Sequence, residues 1–94
     1  PALSSTVLGL PTTNQSSQRA LAADAVGNAF VVTLLDSGGV QLDRLPYGTT
    51  TFSAPRSIVG AGQYPGISTL PTSTGAAVIY VDGAGAVWAT IQTY

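Results

Sequence analysis

The chain has 94 residues, a net charge of −1 and only 7% charged residues, against about 25% in an ordinary soluble domain. All three basic residues are arginines (Arg19, Arg44, Arg56), all four acids are aspartates (Asp24, Asp36, Asp43, Asp82), and Cys and His are absent. That composition excludes a disulfide framework, zinc fingers and Ser–His–Asp or Cys–His catalysis, and it gives no electrostatic footprint for nucleic acid.

The length allows one domain, residues 1–94, near the size at which a single core is only marginally sufficient. Apolar runs are a few residues long, far short of the roughly 20 needed to span a bilayer as a helix, so no membrane insertion is expected. A chain starting at Pro1 reads as a processed form or a piece of something larger. Many Ser, Thr and Gly beside so few charges lean toward an extracellular or cell-surface setting. Either small polar residues cover the surface, or apolar faces are buried against other chains; the second is favoured.

In chain order, residues 4–9 hold a short strand around 6–8 (TVL). Residues 11–18 (PTTNQSSQ) open on Pro and read as a loop. Asn14-Gln15-Ser16 has the form of an N-glycosylation acceptor, meaningful only in a eukaryotic secreted protein. Residues 19–23 (RALAA) favour helix by propensity, but five residues cannot nucleate one alone, and a short strand is expected. A turn at 24–28 (DAVGN), a strand at 28–35, a turn at 36–39, a strand at 40–45, a loop at 46–51 and an edge strand at 55–60 follow. After a Gly-rich connector at 60–66, a strand is expected at 67–70, a turn at 71–75 and a second hairpin to Tyr94.

Two of these hairpins are one pattern written twice. Residues 29–47 (AFVVTLLDSGGVQLDRLPY) and 76–94 (AAVIYVDGAGAVWATIQTY) align without a gap at an offset of 47. Ala29/Ala76, Val31/Val78, Gly38/Gly85, Val40/Val87 and Tyr47/Tyr94 are identical. Each copy is an apolar run, a small turn and a second apolar run, the signature of a β-hairpin. A period of this size marks repeat architectures, propellers among them. Residues 6–9 (TVLG) match 57–60 (SIVG) at an offset of 51, so the strand that the second copy lacks at its end stands at the front of the chain.

DAVGNAFVV followed by a hairpin and FSAPRSIVG resembles the blade repeats of bacterial β-propeller proteins. The second copy departs from that motif, with PTSTG where the first has DAVGN. The resemblance implies an all-β fold of two four-stranded blades, the first at about 19–60 and the second at about 66–94, completed by strand 4–9. Two blades cannot close a ring, since propellers need roughly four to eight. A homo-oligomer is therefore expected, a trimer with six blades first among the options. In this the chain is similar to small fucose-binding lectins built from two-blade chains, although their Trp-rich sites have no counterpart here. An immunoglobulin-like sandwich also suits the strand number, but has no need of an internal period.

Four residues stand out for binding. Trp88, the single Trp, reads plainly as core or interface packing, and functionally as a stacking platform for a sugar. Tyr64, in the Gly-rich connector, is expected to be more exposed than Tyr80. Arg19 and Arg44 have donor forks suited to hydroxyl or carboxylate groups; the plainer reading of Arg44 is a pair with an Asp. The stretch from Asp82 to Trp88 is similar to the Asp-box of sialidase-like propellers, D-x-G-x-x-W, but its Asp lies one residue too far from the Trp. Asp82, with Asp24 and Asp36, is read as a turn residue bonding backbone amides two residues on. No carboxylate pair is set for glycoside hydrolysis and no loop is spaced for calcium. No catalytic residue, metal or cofactor is expected, and the reading is a non-enzymatic, carbohydrate-binding oligomer. The alternative is a structural or assembly module, such as a fibre tip or a surface protein recognising a protein partner.

Overall fold

The computed structural model describes residues 15–70 and 74–94, with side chains from residue 18. All regular elements among them are strands: β1 (Gln15–Ala23), β2 (Ala29–Leu35), β3 (Val40–Leu45), β4 (Arg56–Val59), β5 (Gln63–Thr69), β6 (Gly75–Val81) and β7 (Val87–Thr93). They form two antiparallel meanders, a four-stranded sheet β1-β2-β3-β4 and a three-stranded sheet β5-β6-β7. The all-β expectation holds. The front strand at 6–8 and the acceptor residue Asn14 lie outside the described residues. Among those described, the second sheet has three strands and no helix is long and apolar enough to cross a membrane.

The repeat survives as strand register. Ala29 pairs with Leu45 across β2 and β3, and Ala76 with Gln92 across β6 and β7, both partners moved on by the same 47 positions. The turns repeat as well. In each of three hairpins the first turn residue donates its amide to a carbonyl four residues on, and its own carbonyl accepts the amide of the fourth: Asp24 with Asn28 and Gly27, Leu35 with Gly39 and Gly38, Asp82 with Ala86 and Gly85. The fourth position needs positive φ, and glycine takes it at 103°, 95° and 88° in Gly27, Gly38 and Gly85. A type I turn followed by such a residue matches the right-handed twist of the flanking strands.

Beyond one-residue shifts at strand ends, two boundaries and one offset differ from the sequence reading. Residues 15–18, read as loop, belong to β1. β5 begins at Gln63, inside the stretch taken as connector. Ile67 pairs with Val78, whose repeat partner Val31 pairs with Leu21, so β5 follows β1 at an offset of 46 and not 47. The cause is turn length. Between Ala23 and Ala29 stand residues 24–28, whereas between Thr69 and Ala76 stand residues 70–75, one more.

The core lies between the sheets. Phe30, Val32, Val40 and Leu42 from the first sheet pack with Ala76, Val78 and Tyr80 from the second in one buried cluster. These are not equivalent faces. Phe30 and Val32 correspond through the repeat to Ala77 and Ile79, which lie on the opposite side of β6 from Ala76 and Val78. Side chains alternate along a strand, so an odd step between faces marks the change. A sandwich with a two-fold axis would bring equivalent faces together. Here opposite faces of the repeat meet.

Candidate functional site at the sheet junction

At one end of the interface three chain segments meet. The β2–β3 turn brings Asp36 and Gly38, the β4–β5 link brings Ala61, Gly62 and Gln63, and the β6–β7 turn brings Gly83. Together with Leu34 and Leu35 they line a cleft of about 410 Å³. The Gly62 amide donates to the Gly38 carbonyl at 2.8 Å, tying link to turn. A side chain at residue 62 would meet Val40 Cγ2 at 3.0 Å and Tyr80 Cδ2 at 3.2 Å, so glycine is what lets the link run this close to the core. The polar side chains offered to the cleft are the Asp36 carboxylate and the Gln63 amide.

Two aromatic rings flank this end. Trp88 is 51% exposed and pairs across β6–β7 with the buried Tyr80. Its indole N–H donates to Asp82 Oδ2 at 2.7 Å. Asp82 Oδ1 accepts the amides of Ala84 and Ala86, each at 2.9 Å. Asp82 is thus a turn residue as expected, and also the anchor of the indole, which the sequence reading missed. The Trp88 bond, with those of the turn amides, holds the Asp82 carboxyl below its ordinary value.

Tyr64 is 68% exposed, far more than Tyr80. It stands in a β-bulge, where Tyr64 and Pro65 separate the Gln63–Val81 pair from Gly66–Ile79. Its φ of 53° is the single positive value at a non-glycine position among the described residues. A tyrosine in the left-handed region carries strain of order 1–2 kcal/mol. Tyr64 and Trp88 therefore sit on the two edge strands of the second sheet, β5 and β7, at the same end as the cleft. Neither lines it: Tyr64 follows Gln63, and Trp88 is bonded to the residue before Gly83.

The arginines go elsewhere. Arg19 pairs with Thr33 across β1–β2 and is exposed, on the face of the first sheet turned away from the second. Arg44 lies at the opposite end from the cleft. Its expected Asp partner is not found among the described residues. Its guanidinium lies 5.0 Å from the centroid of the Tyr94 ring, with that of Arg56 at 4.0 Å. Tyr94 in turn packs against Phe30, ring centroids 5.7 Å apart. Arg56 also donates to Gln92 Oε1 at 2.9 Å. Burial raises the Tyr94 phenol from its ordinary value, against the two arginine charges. The aromatic face attracts the weakly hydrated guanidinium, while the Arg44 Nε is buried with no hydrogen-bond partner among the described residues.

Asp24 behaves as read. Its Oδ1 accepts the amides of Val26, Gly27 and Asn28, and its Oδ2 the Asn28 side-chain amide. The Asn28 bond leads the causes that hold the Asp24 carboxyl low. Asn28 Oδ1 then accepts the Tyr47 amide at 2.9 Å, fixing the turn to the end of β3. Asp36 differs from the reading, because Leu35 holds the leading turn position. At the second position Asp36 lines the cleft. Asp36 and Gln63 were legible only through the meeting of two turns that are distant in sequence. Comparison of the chain with known protein families, with curated proteins and with solved structures finds no match.

Proposed function

We propose that the chain is a non-enzymatic, carbohydrate-binding module, two blades of a β-propeller that assembles with further copies, outside the cell or on its surface. What carries the binding reading is Trp88: an exposed indole, pinned through its N–H to Asp82, at the same end of the second sheet as a cleft furnished with a carboxylate and an amide. An aromatic face suits the apolar face of a pyranose, while Asp36 and Gln63 offer acceptors and donors to its hydroxyls. Tyr64 supplies a second ring on the far edge strand of the same sheet. Arg19 and Arg44, on another face and at another end, are not part of this reading.

The propeller reading is supported by the repeated register and by the contact of opposite faces, the step that carries one blade onto the next. The three-stranded second sheet and its uncovered outer face support assembly, in a ring of three chains if six blades close it. That same face favours a second reading, in which the chain is an assembly or structural module without a sugar.

A glycan array followed by titration of Trp88 fluorescence tests binding. The expected result is a hit whose saturation changes the emission and whose affinity drops at least tenfold in Trp88→Ala. Silence across neutral and acidic sugars leaves the assembly reading alone standing.

A further inference from the structure

Two of the chain's three cationic side chains meet on one ring. Arg44 of β3 lies two residues beyond Leu42, whose partner across β3–β4 is Arg56. Side chains alternate along a strand, and residues paired across two strands share a face. Both arginines therefore leave the first sheet on the side of the second, where Tyr94 stands just past the end of β7. The Arg56 guanidinium lies 4.0 Å from the centre of the Tyr94 ring, and that of Arg44 5.0 Å.

No acid offsets these charges, although all four aspartates lie among the described residues. Asp36 lines the cleft at the other end of the junction, and Asp82 caps the β6–β7 turn there. Asp24 is engaged by three amides of its own turn and by the Asn28 side chain. Asp43 pairs with Val31 and Arg44 with Phe30, so neighbours on β3 point to opposite faces, and Asp43 accepts its bond from Gln41.

What the two guanidiniums do meet is neutral. Arg56 Nη1 donates to Gln92 Oε1 at 2.9 Å and to the Thr93 carbonyl at 3.3 Å. Arg44 is half-buried, and its Nε has no acceptor among the described residues. The ring attracts each cation, yet like charges held over one ring repel each other. Burial raises the Tyr94 phenol and both arginine charges work against it, so both fields are felt at the ring.

We propose that Arg44 and Arg56, with Gln92 beside them, form a binding site for the carboxylate of an acidic sugar, at the end of the sheet junction opposite the cleft. A guanidinium fork meets a carboxylate with two parallel charge-assisted bonds, a match that no single hydroxyl supplies. The carboxylate also offsets the repulsion between the two cations. Charge separates the two ends: the cleft end carries Asp36 and Asp82, which turn an acid away, and this end carries two arginines. That the carboxylate belongs to a sugar rests on the carbohydrate reading above; the pairing of two forks with a carboxylate does not.

The test is a titration of the ¹⁵N-labelled protein with glucuronate, read at the arginine Nε–Hε signals, of which the chain has only three. Glucose and sodium chloride at matched ionic strength are the controls. Glucuronate is expected to move the Arg44 and Arg56 signals and to leave Arg19 in place, while glucose moves none. Arg44→Gln and Arg56→Gln are each expected to weaken glucuronate at least tenfold, and Arg19→Gln to change nothing, with amide spectra confirming the fold. The wild-type titration decides by itself where a variant does not fold. Raising salt from about 0.01 M to about 0.15 M should weaken binding severalfold, because these charges are half-exposed and screened. Arg44 and Arg56 signals that stay put, or equal movement of all three, overturn the site. Acetate that binds as tightly as glucuronate overturns the sugar as bearer of the carboxylate. Trp88 emission is followed in the same samples and reports the cleft alone, so failure of the cleft and failure of the arginine site are told apart.

Discussion

The Trp88 indole and the Asp82 carboxylate are joined at 2.7 Å across the hairpin turn that the same carboxylate caps. One aspartate thereby fixes both the backbone of the turn and the orientation of the ring. Its lowered pKa gives the sign of the pH dependence. The interaction is fully present above the ordinary value of 3.8 and is lost as pH falls through the lower folded value. Trp88 emission is expected to be constant from neutral pH down to about 4 and to shift only below that. Asp82→Ala is expected to show the acid spectrum already at pH 7 and to bind sugar about tenfold more weakly. An unchanged spectrum in Asp82→Ala would detach the carboxylate from the ring.

Gly75 stands where the first repeat has Asn28, and the substitution is forced by space. A Cβ there would run into the Gln92 carbonyl oxygen and come within 3.0 Å of Thr93 Cα, at a φ of 152°. Both obstacles are backbone, so neither moves cheaply. Gly75→Ala is expected to destabilise the fold by about 2–4 kcal/mol, read as a lower urea midpoint. The equivalent change in the first repeat, Asn28→Ala, costs its bonds to Asp24 and to the Tyr47 amide instead.

Asp43 is fully buried on β3. Its Oδ1 has no partner among the described residues, and its Oδ2 has a long bond of 3.3 Å from Gln41. Burial raises its carboxyl above 3.8, with the Gln41 bond opposing weakly. A raised folded pKa means that the fold prefers the protonated acid, so stability is fullest below the ordinary value and is lost as pH rises through the folded one. Asp43→Asn is expected to be more stable than the wild type by about 1–2 kcal/mol at pH 7. The advantage should vanish near pH 3. A variant that is less stable at both pH values would show that the charge has a partner.

Much of the fold was readable because local chemistry and long-range pairing agree. Gly38 and Gly85 mark the same turn in both copies, and the fixed step of 47 carried the β2–β3 register over to β6–β7. The step failed where turn lengths differ: nothing in PTSTG announces that its loop holds one residue more than DAVGN. β5 began early because Gln63 and Tyr64 look like connector by composition, and only pairing with β6 makes them strand. At the site, Trp88 and Tyr64 were visible as lone aromatics in Gly-rich surroundings. Asp36 and Gln63 were not, since they meet only where the Gly62–Gly38 bond ties the β4–β5 link to the β2–β3 turn. Within the chain Arg44 lies over an aromatic ring fifty residues on and not beside an Asp, and sequence offers no signal for that contact.

Tyr64 poses a choice between stability and binding. It occupies a bulge at φ 53°, a conformation glycine adopts without penalty, and its ring is 68% exposed and contributes little to the core. Strain held at such a position persists where the surroundings or a function require that side chain. Tyr64→Gly is expected to raise stability by about 0.5–1 kcal/mol, strain relief offset in part by the entropy of the added glycine. If the ring contacts sugar, the same variant binds at least tenfold more weakly despite its firmer fold. Tyr64→Asn, which tolerates positive φ, separates the two effects: it should recover part of the stability and none of the binding. Equal affinity in all three proteins would remove Tyr64 from the site and leave the bulge as a means of steering β5 past the core.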